Sequence, residues 1–264
     1  MAKNYIYKPA GRALEYSPLA LNIYTGCDHG CTYCYNRFRF PIDDSRRRNI
    51  DMTKLREELA REKYDKQILL SFVGDPYCRA EMDLKATWEV LNTLFHYDMK
   101  VAILTKGGMR ALRDVQMFEQ FRRNVKVGAT LSFSSNERAK EFEPNSAPPT
   151  ERLAMLRTLH DDHLIRTWVS VEPVIDPEES LRAIEAAIPY VDEFRIGKLN
   201  HDPEREAQID WPDFLERVVT LLRPYGTGLK AVGNKIVYIK IDLREAAPDV
   251  ELPEGWDDMT VGWL

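Results

Sequence analysis

Residues 21–37 read LNIYTGCDHGCTYCYNR, and three of the chain's four cysteines, Cys27, Cys31 and Cys34, fall within eight of these positions. Thiolates are soft ligands suited to zinc or to iron–sulfur clusters. A closed structural zinc site takes four ligands, and His29 would be the fourth within Cys27–Cys34. Zinc ribbons and fingers bring a second ligand pair from a distant segment, and this sequence holds neither a second CxxC nor a paired-His motif. The CxxxCxxC spacing also differs from ferredoxin runs, which use CxxC steps and a fourth cysteine. Three ligands leave one iron of a four-iron cluster open, and an open metal position is a place for chemistry. Four cysteines so unevenly spaced do not read as a disulfide framework.

Outward from this loop, short apolar runs alternate with helical patterns. Leu19–Thr25, Ile68–Val73, Val101–Thr105, Val127–Phe133, Ile165–Glu172 and Phe194–Leu199 read as strands of a parallel sheet covered on its faces. Between them lie stripes at helical spacing, among them Leu84, Trp88, Leu91 and Phe95, and later Phe214, Val218 and Leu221. Pro148-Pro149-Thr150 reads as a helix entry, because proline is tolerated in a first turn. Six strand–helix units ending near residue 223, then a final strand at Ile236–Ile241 and an acidic tail, predict a parallel α/β fold. Six units are two short of a closed eight-stranded barrel, and periodicity does not separate an open sheet from a partial barrel. The expected organisation is an N-terminal extension over 1–17, a core over 18–223, and a C-terminal strand and tail over 224–264.

The 264 residues carry 37 Lys/Arg against 42 Asp/Glu, a net charge of −5, which excludes a uniformly basic nucleic-acid coat. Residues 1–50 nevertheless hold eight Lys/Arg against four Asp/Glu, including Arg46-Arg47-Arg48, while 201–264 hold seven against thirteen. Such an arginine run reads either as a solvated loop or as a local basic face. No apolar run approaches the roughly 18 residues of a membrane span, and the opening residues lack a signal peptide's apolar stretch. A cytoplasmic protein is expected.

The cysteine loop and its surroundings resemble the radical S-adenosylmethionine (SAM) superfamily. The resemblance rests first on CxxxCxxC with Tyr33 just before Cys34, placed straight after the first strand. It continues through GRALEYSPLALNIYTGCDHGCTYCYNR, SFVGDPYCRAE, ILTKGG, LSFS with a later EP, and APPTERLAMLRTL, in the order and spacing of the spore photoproduct lyase-like branch. It covers roughly residues 8–200 and implies a partial (β/α)6 barrel of the TIM type, in agreement with the six units counted above. It also implies a [4Fe–4S] cluster on Cys27, Cys31 and Cys34, whose fourth iron chelates SAM. A flavodoxin or ferredoxin would supply one electron, SAM would cleave to methionine and a 5′-deoxyadenosyl radical, and the radical would take a substrate hydrogen atom.

In barrels the reactive face is the C-terminal end of the strands. The resemblance sets Tyr33 near the adenine, although a buried aromatic is also simply packing. Gly74 would let backbone approach a ligand, and Asp75 would pair with the SAM ammonium, although Gly-Asp-Pro is also a good tight turn. Lys106 and Ser132 match positions that hold the methionine carboxylate in the lyases. Glu143 and Glu172 each precede a proline after a strand, and are candidates for ribose or substrate as well as turn formers. Cys78, five residues past the second strand, is a candidate hydrogen-atom donor or a small buried apolar group. The lyase proper carries its donor cysteine three residues before this Asp; here that position is Phe72.

Two enzyme readings follow. One is a radical SAM enzyme acting on a nucleobase, in nucleic acid or as a nucleotide, contacting polymer through Arg46–Arg48 and Arg122-Arg123. The other is a radical SAM enzyme for a peptide or small metabolite, since one fold hosts many chemistries. A zinc-stabilised binding module on Cys27, His29, Cys31 and Cys34 is the non-enzymatic alternative. The absence of further cysteines and of a preceding module leads us to expect neither an auxiliary cluster nor a cobalamin domain.

Overall fold

Residues 4–41, 43–226 and 234–264 are described by the computed structural model. Seven strands lie side by side in chain order, all parallel: β1 (Leu19–Ala20), β2 (Ile68–Leu70), β3 (Val101–Thr105), β4 (Val125–Thr130), β5 (Arg166–Val171), β6 (Glu193–Ile196) and β7 (Ile236–Ile239). Parallel neighbours need crossovers. Each of the six has one principal helix: α1 (Met52–Glu62), α2 (Ala86–Phe95), α3 (Val115–Phe121), α4 (Pro149–Arg157), α5 (Pro177–Ala187) and α6 (Trp211–Leu222). Helix starts follow local chemistry. Asp51, Asp176 and Asp210 each cap a helix with a carboxylate, and α4 opens at Pro149 as the sequence predicts.

The sheet curls into a partial barrel, and contacts that skip a strand show the curl. The indole Nε1 of Trp168 on β5 donates to the Ile103 carbonyl of β3 at 2.9 Å. It crosses β4 at Gly128, where a Cβ would stand 2.6 Å from the indole ring. Ala20, Leu69, Ala102 and Trp168 form an interior layer with Tyr16, Phe72 and Leu104 against it. The alternate residues of the same strands build the larger core under the helices.

The strand starts hold a second, charged interior. Lys126 Nζ donates to Glu193 at 2.8 and 2.9 Å, and Arg195 Nε to the same carboxylate at 2.6 Å, with all three side chains fully buried. The C-terminal segment covers this end. Gly262 and Val261 offer carbonyls to Lys126 at 3.1 Å and Arg195 at 2.9 Å, and Trp256 is wholly buried. No helix among the described residues is long and apolar enough to cross a membrane.

Observed strands differ from the expected runs for physical reasons. The run predicted over Leu19–Thr25 splits: β1 ends at Ala20, and Tyr24–Thr25 pairs antiparallel with Arg46–Arg47. Asn22 causes the break, its Oδ1 accepting from the Phe72 and Val73 amides at 2.8 and 3.2 Å in place of a ladder. The predicted starts at Val127 and Phe194 leave out Lys126 and Glu193, which belong to β4 and β6. Their charges read as solvent-facing flanks until the curl brings them together.

Candidate cluster and cofactor site

The cysteine loop leaves the sheet at its C-terminal end and is wound by glycines. Gly26 and Gly30 have φ of +79° and +68°, the left-handed region that favours glycine. A Cβ on Gly26 would stand 2.5 Å from the Asp44 carbonyl. The Cys27 amide donates to the Pro41 carbonyl at 3.0 Å and the Thr32 amide to that of Phe142 at 2.8 Å, so the loop is tied down on two sides. Cys31 is buried, Cys27 and Cys34 half-buried. Burial pushes the Cys31 thiol up to about 11 and that of Cys27 higher still, so metal loading must displace protons from both.

Around Cys31 the fold gathers several predicted residues. Lys106, next after β3, lies with its Nζ 5.4 Å from the centre of the Tyr33 ring. The Tyr33 hydroxyl donates to the Glu143 carboxylate, which Arg152 of α4 also holds. Burial works against the Glu143 anion, but Arg152 and Lys106 outweigh it and keep its pKa low. Burial likewise opposes the Lys106 cation, and the neighbouring Cys31 and Glu143 reverse the balance. Arg152 is a residue the sequence reading passed over. Its guanidinium reaches the Ala147 and Thr130 carbonyls at 2.7 and 2.9 Å. A charged residue on the buried face of α4, among leucines, was its only signal.

Asp75 is a bracket between strand ends. Its Oδ1 accepts from Thr105 Oγ1 at 2.5 Å and the Tyr77 amide at 2.8 Å, and its Oδ2 from the Lys106 amide at 2.8 Å. Gly74 uses its missing side chain against protein rather than open space: a Cβ there would meet the Gly26 carbonyl at 2.7 Å. The second strand end thereby supports the cysteine loop directly. Ser132 is wholly buried, two residues past β4, with its Oγ unpartnered. Glu172, past β5, holds Tyr16 and Lys240. Cys78 is fully buried in the core under the helices, and burial raises its thiol to about 12.

The residues fit a cluster with SAM better than a single zinc ion. Among the described residues, one set of three metal-ligating groups lies within 4.8 Å of one another: Cys27, Asp28 and His29. Cys31 and Cys34 lie outside it, whereas a tetrahedral zinc with Zn–S of about 2.3 Å would draw all its sulfurs to about 3.8 Å. His29 is engaged elsewhere, its Nε2 accepting from Arg110 at 3.1 Å and its Nδ1 3.5 Å from Asp75. The spread of the thiols suits a larger inorganic core. The unpartnered Ser132 hydroxyl and a Lys106 ammonium without an ion pair among the described residues suit an anionic ligand group beside it.

Arg46–Arg47 pairs with Tyr24–Thr25, directly before the cysteine loop. Arg122-Arg123 precedes β4 and so lies at the opposite end of the parallel sheet. The two basic segments do not share a face.

Comparison with known proteins agrees with this site. A family model described as the Radical SAM superfamily matches residues 21–191. A 158-residue stretch, 59% of this chain, is 29% identical to an uncharacterized protein of Methanocaldococcus jannaschii, covering 60% of it. Another of 168 residues is 27% identical to 49% of an uncharacterized protein of Mycobacterium tuberculosis. The chain thus spans about half to three fifths of the length of these relatives. Among solved structures, Streptococcus suis SuiB bound to S-adenosylmethionine matches with a TM-score of 0.65 at 13% identity, over 89% of this chain and 53% of that one. A spore photoproduct lyase variant gives 0.58 at 11% identity, over 80% and 63%. Methylornithine synthase gives 0.54 at 14%, over 90% and 74%. At such identities the likeness is one of fold. With the family model spanning the cysteine loop and most of the barrel, the chain belongs to the radical SAM superfamily, whose chemistry uses a [4Fe–4S] cluster and SAM.

Proposed function

We propose that this radical SAM protein acts on a nucleobase, in nucleic acid or as a nucleotide, as a member of the spore photoproduct lyase-like branch. When bound, the cluster and SAM supply a 5′-deoxyadenosyl radical that abstracts hydrogen from substrate. Cys27, Cys31 and Cys34 hold the cluster; Lys106 and Ser132 take the methionine carboxylate; Tyr33, fixed by Glu143, lies against the nucleoside part. Gly74 and Asp75 act by holding the cysteine loop and the β3 end in place. A flavodoxin- or ferredoxin-type donor supplies the electron.

One observation carries the choice of substrate: a basic and aromatic rim beside the cysteine loop. Tyr35 and Phe38 are exposed, Phe38 to 79%, and the Arg37 guanidinium lies 4.7 Å from the Phe38 ring centre. Arg46, Arg47 and Arg48 are exposed on the ladder that abuts the loop. Arg46 and Arg47 are paired with Asp44 and Glu89, while Arg39 and Arg48 make no ion pair among the described residues. Aromatic faces interleaved with arginines are the means by which proteins hold unpaired nucleic acid.

The test is anaerobic reconstitution, electron paramagnetic resonance with and without SAM, and 5′-deoxyadenosine formation in the presence of DNA or RNA. Substrate-dependent 5′-deoxyadenosine, with binding that weakens steeply as salt rises, supports the reading. Salt-insensitive binding or none, with stimulation by a peptide or small metabolite instead, overturns it in favour of the alternative substrate class.

A further inference from the structure

The mouth of the barrel holds a second polar group, separate from the residues assigned above to the cluster and SAM. Glu172 follows β5, Asn200 follows β6, and Lys240 follows β7, all at the end of the sheet that carries the cysteine loop. Tyr16, just before β1, reaches in to complete the set. Its hydroxyl donates to Glu172 Oε2 at 2.8 Å and lies 3.0 Å from Ser170 Oγ. Lys240, 2% exposed, donates its Nζ to the same carboxylate oxygen and stands 3.6 Å from the centre of the Tyr16 ring. Gly197 makes the room, since a Cβ there would come within 2.8 Å of Glu172 and 3.0 Å of Lys240.

This group borders the cysteine loop. The Tyr16 ring packs edge-on against Phe72, with centroids 6.1 Å apart. The Phe72 carbonyl accepts from the Tyr35 hydroxyl at 2.6 Å and from Asn36 Nδ2 at 2.8 Å, and Tyr35 follows Cys34.

The bonding capacity left over defines a ligand. Glu172 Oε2 is occupied, while Oε1 takes one long contact of 3.4 Å from Asn200 Nδ2. An ammonium has three N–H groups, and Lys240 spends one on Glu172. One open carboxylate oxygen therefore stands beside two donors, from Lys240 and Asn200. A phosphate or carboxylate would face the Glu172 anion, and an ammonium the Lys240 cation.

We propose that Glu172, Asn200 and Lys240, set by Tyr16 and Gly197, form a substrate subsite that reads a lactam edge, an N–H beside a C=O, as in uracil, thymine or guanine. The lactam N–H donates to Glu172 Oε1, and the carbonyl, with two lone pairs, accepts from both Lys240 and Asn200. An amidine edge, as in cytosine or adenine, places a one-lone-pair ring nitrogen there and leaves a donor unpaired. The subsite deepens the nucleobase reading and rests on it.

The test uses the cluster-loaded protein with SAM and labelled 12-nucleotide single strands of dU and of dC. Binding of dU at least about 10-fold tighter than dC is expected, the scale of one good bidentate base contact. Glu172→Gln and Lys240→Met each break a buried ion pair and should lower the melting temperature. In the folded protein, with cluster absorbance per molecule at the wild-type value, each should still bring the ratio towards one. Gly197→Ala keeps every polar group but presses its methyl on Glu172 and Lys240, displacing them, and should weaken dU binding more than dC. A wild-type ratio near one, or a ratio that survives both polar variants, overturns the subsite and leaves the nucleobase reading standing. Binding of neither strand removes the nucleic-acid form of that reading, and free uridine against cytidine then decides the rest: tighter uridine supports the subsite, equal binding overturns it, and binding of neither overturns the nucleobase reading as well.

Discussion

Single side chains divide into cluster ligands, residues around the ligand, and supports, and substitution separates them. Cys27→Ser, Cys31→Ser and Cys34→Ser should each lose the reconstituted iron and its visible absorbance, because each removes one of only three thiolates in the loop. Cys78→Ala should retain the iron, since its thiol lies in the core under the helices. The same variant tests Cys78 as a candidate hydrogen-atom donor: an altered product distribution with an intact cluster supports the role, and an unchanged one removes it. Lys106→Met keeps the buried aliphatic stem and deletes the charge. It should weaken SAM binding about 10- to 100-fold, the scale of a charged hydrogen bond, read as the SAM-induced shift of the cluster's paramagnetic signal. Wild-type affinity in that titration would remove Lys106 from the ligand site.

At the scale of elements, the turns after the strands hold the site, and Glu179 of α5 sets one of them. Its carboxylate accepts from the Ser134 and Ser135 amides at 2.9 and 2.8 Å and from Ser134 Oγ at 2.7 Å, fixing the segment that follows Ser132. Burial opposes the anion, yet these donors and Arg182 lower its pKa from 4.5 to about 2. A depressed carboxylate stabilises the fold fully above its ordinary value and loses that contribution as pH falls towards the folded value. Glu179→Gln should therefore melt below wild type at neutral pH, by roughly 1–3 kcal/mol for lost charged hydrogen bonds. The gap should close as pH falls from 4.5 to about 2. A gap that stays constant with pH would show that the carboxylate charge contributes nothing.

Across the whole molecule, the two ends of the barrel have separate duties. The C-terminal end of the strands carries the cysteine loop, Lys106, Glu172 and Lys240; the N-terminal end is sealed by Lys126, Glu193, Arg195 and the last residues of the chain. Lys126→Met leaves Glu193 short of a buried partner and should cost roughly 3–5 kcal/mol, seen as a melting temperature lower by about 10 °C. Cluster content per folded molecule should not change, because the substitution lies at the far end. Equal melting temperatures would mean that Arg195 and Arg166 alone satisfy Glu193.

The cysteine spacing, the six strand–helix units and the residues just past each strand were legible in the sequence, because ligand spacing and apolar periodicity are local properties of the chain. From them the cluster loop, Lys106 and Ser132 could be named. Tyr16, His29, Arg152 and Lys240 could not be given their places. Tyr16 precedes the first strand and Lys240 ends the last, and each reads as ordinary flanking chemistry; Arg152 looks like one more charge on a helix. Only the curl of the sheet decided that Tyr16 and Lys240 meet over Glu172, and only the folded ladder with Tyr24–Thr25 set Arg46–Arg47 against the cysteine loop. Contacts across a barrel join residues hundreds of positions apart. What selects them is the neutralisation of buried charge, which exists only once the chain has closed around it.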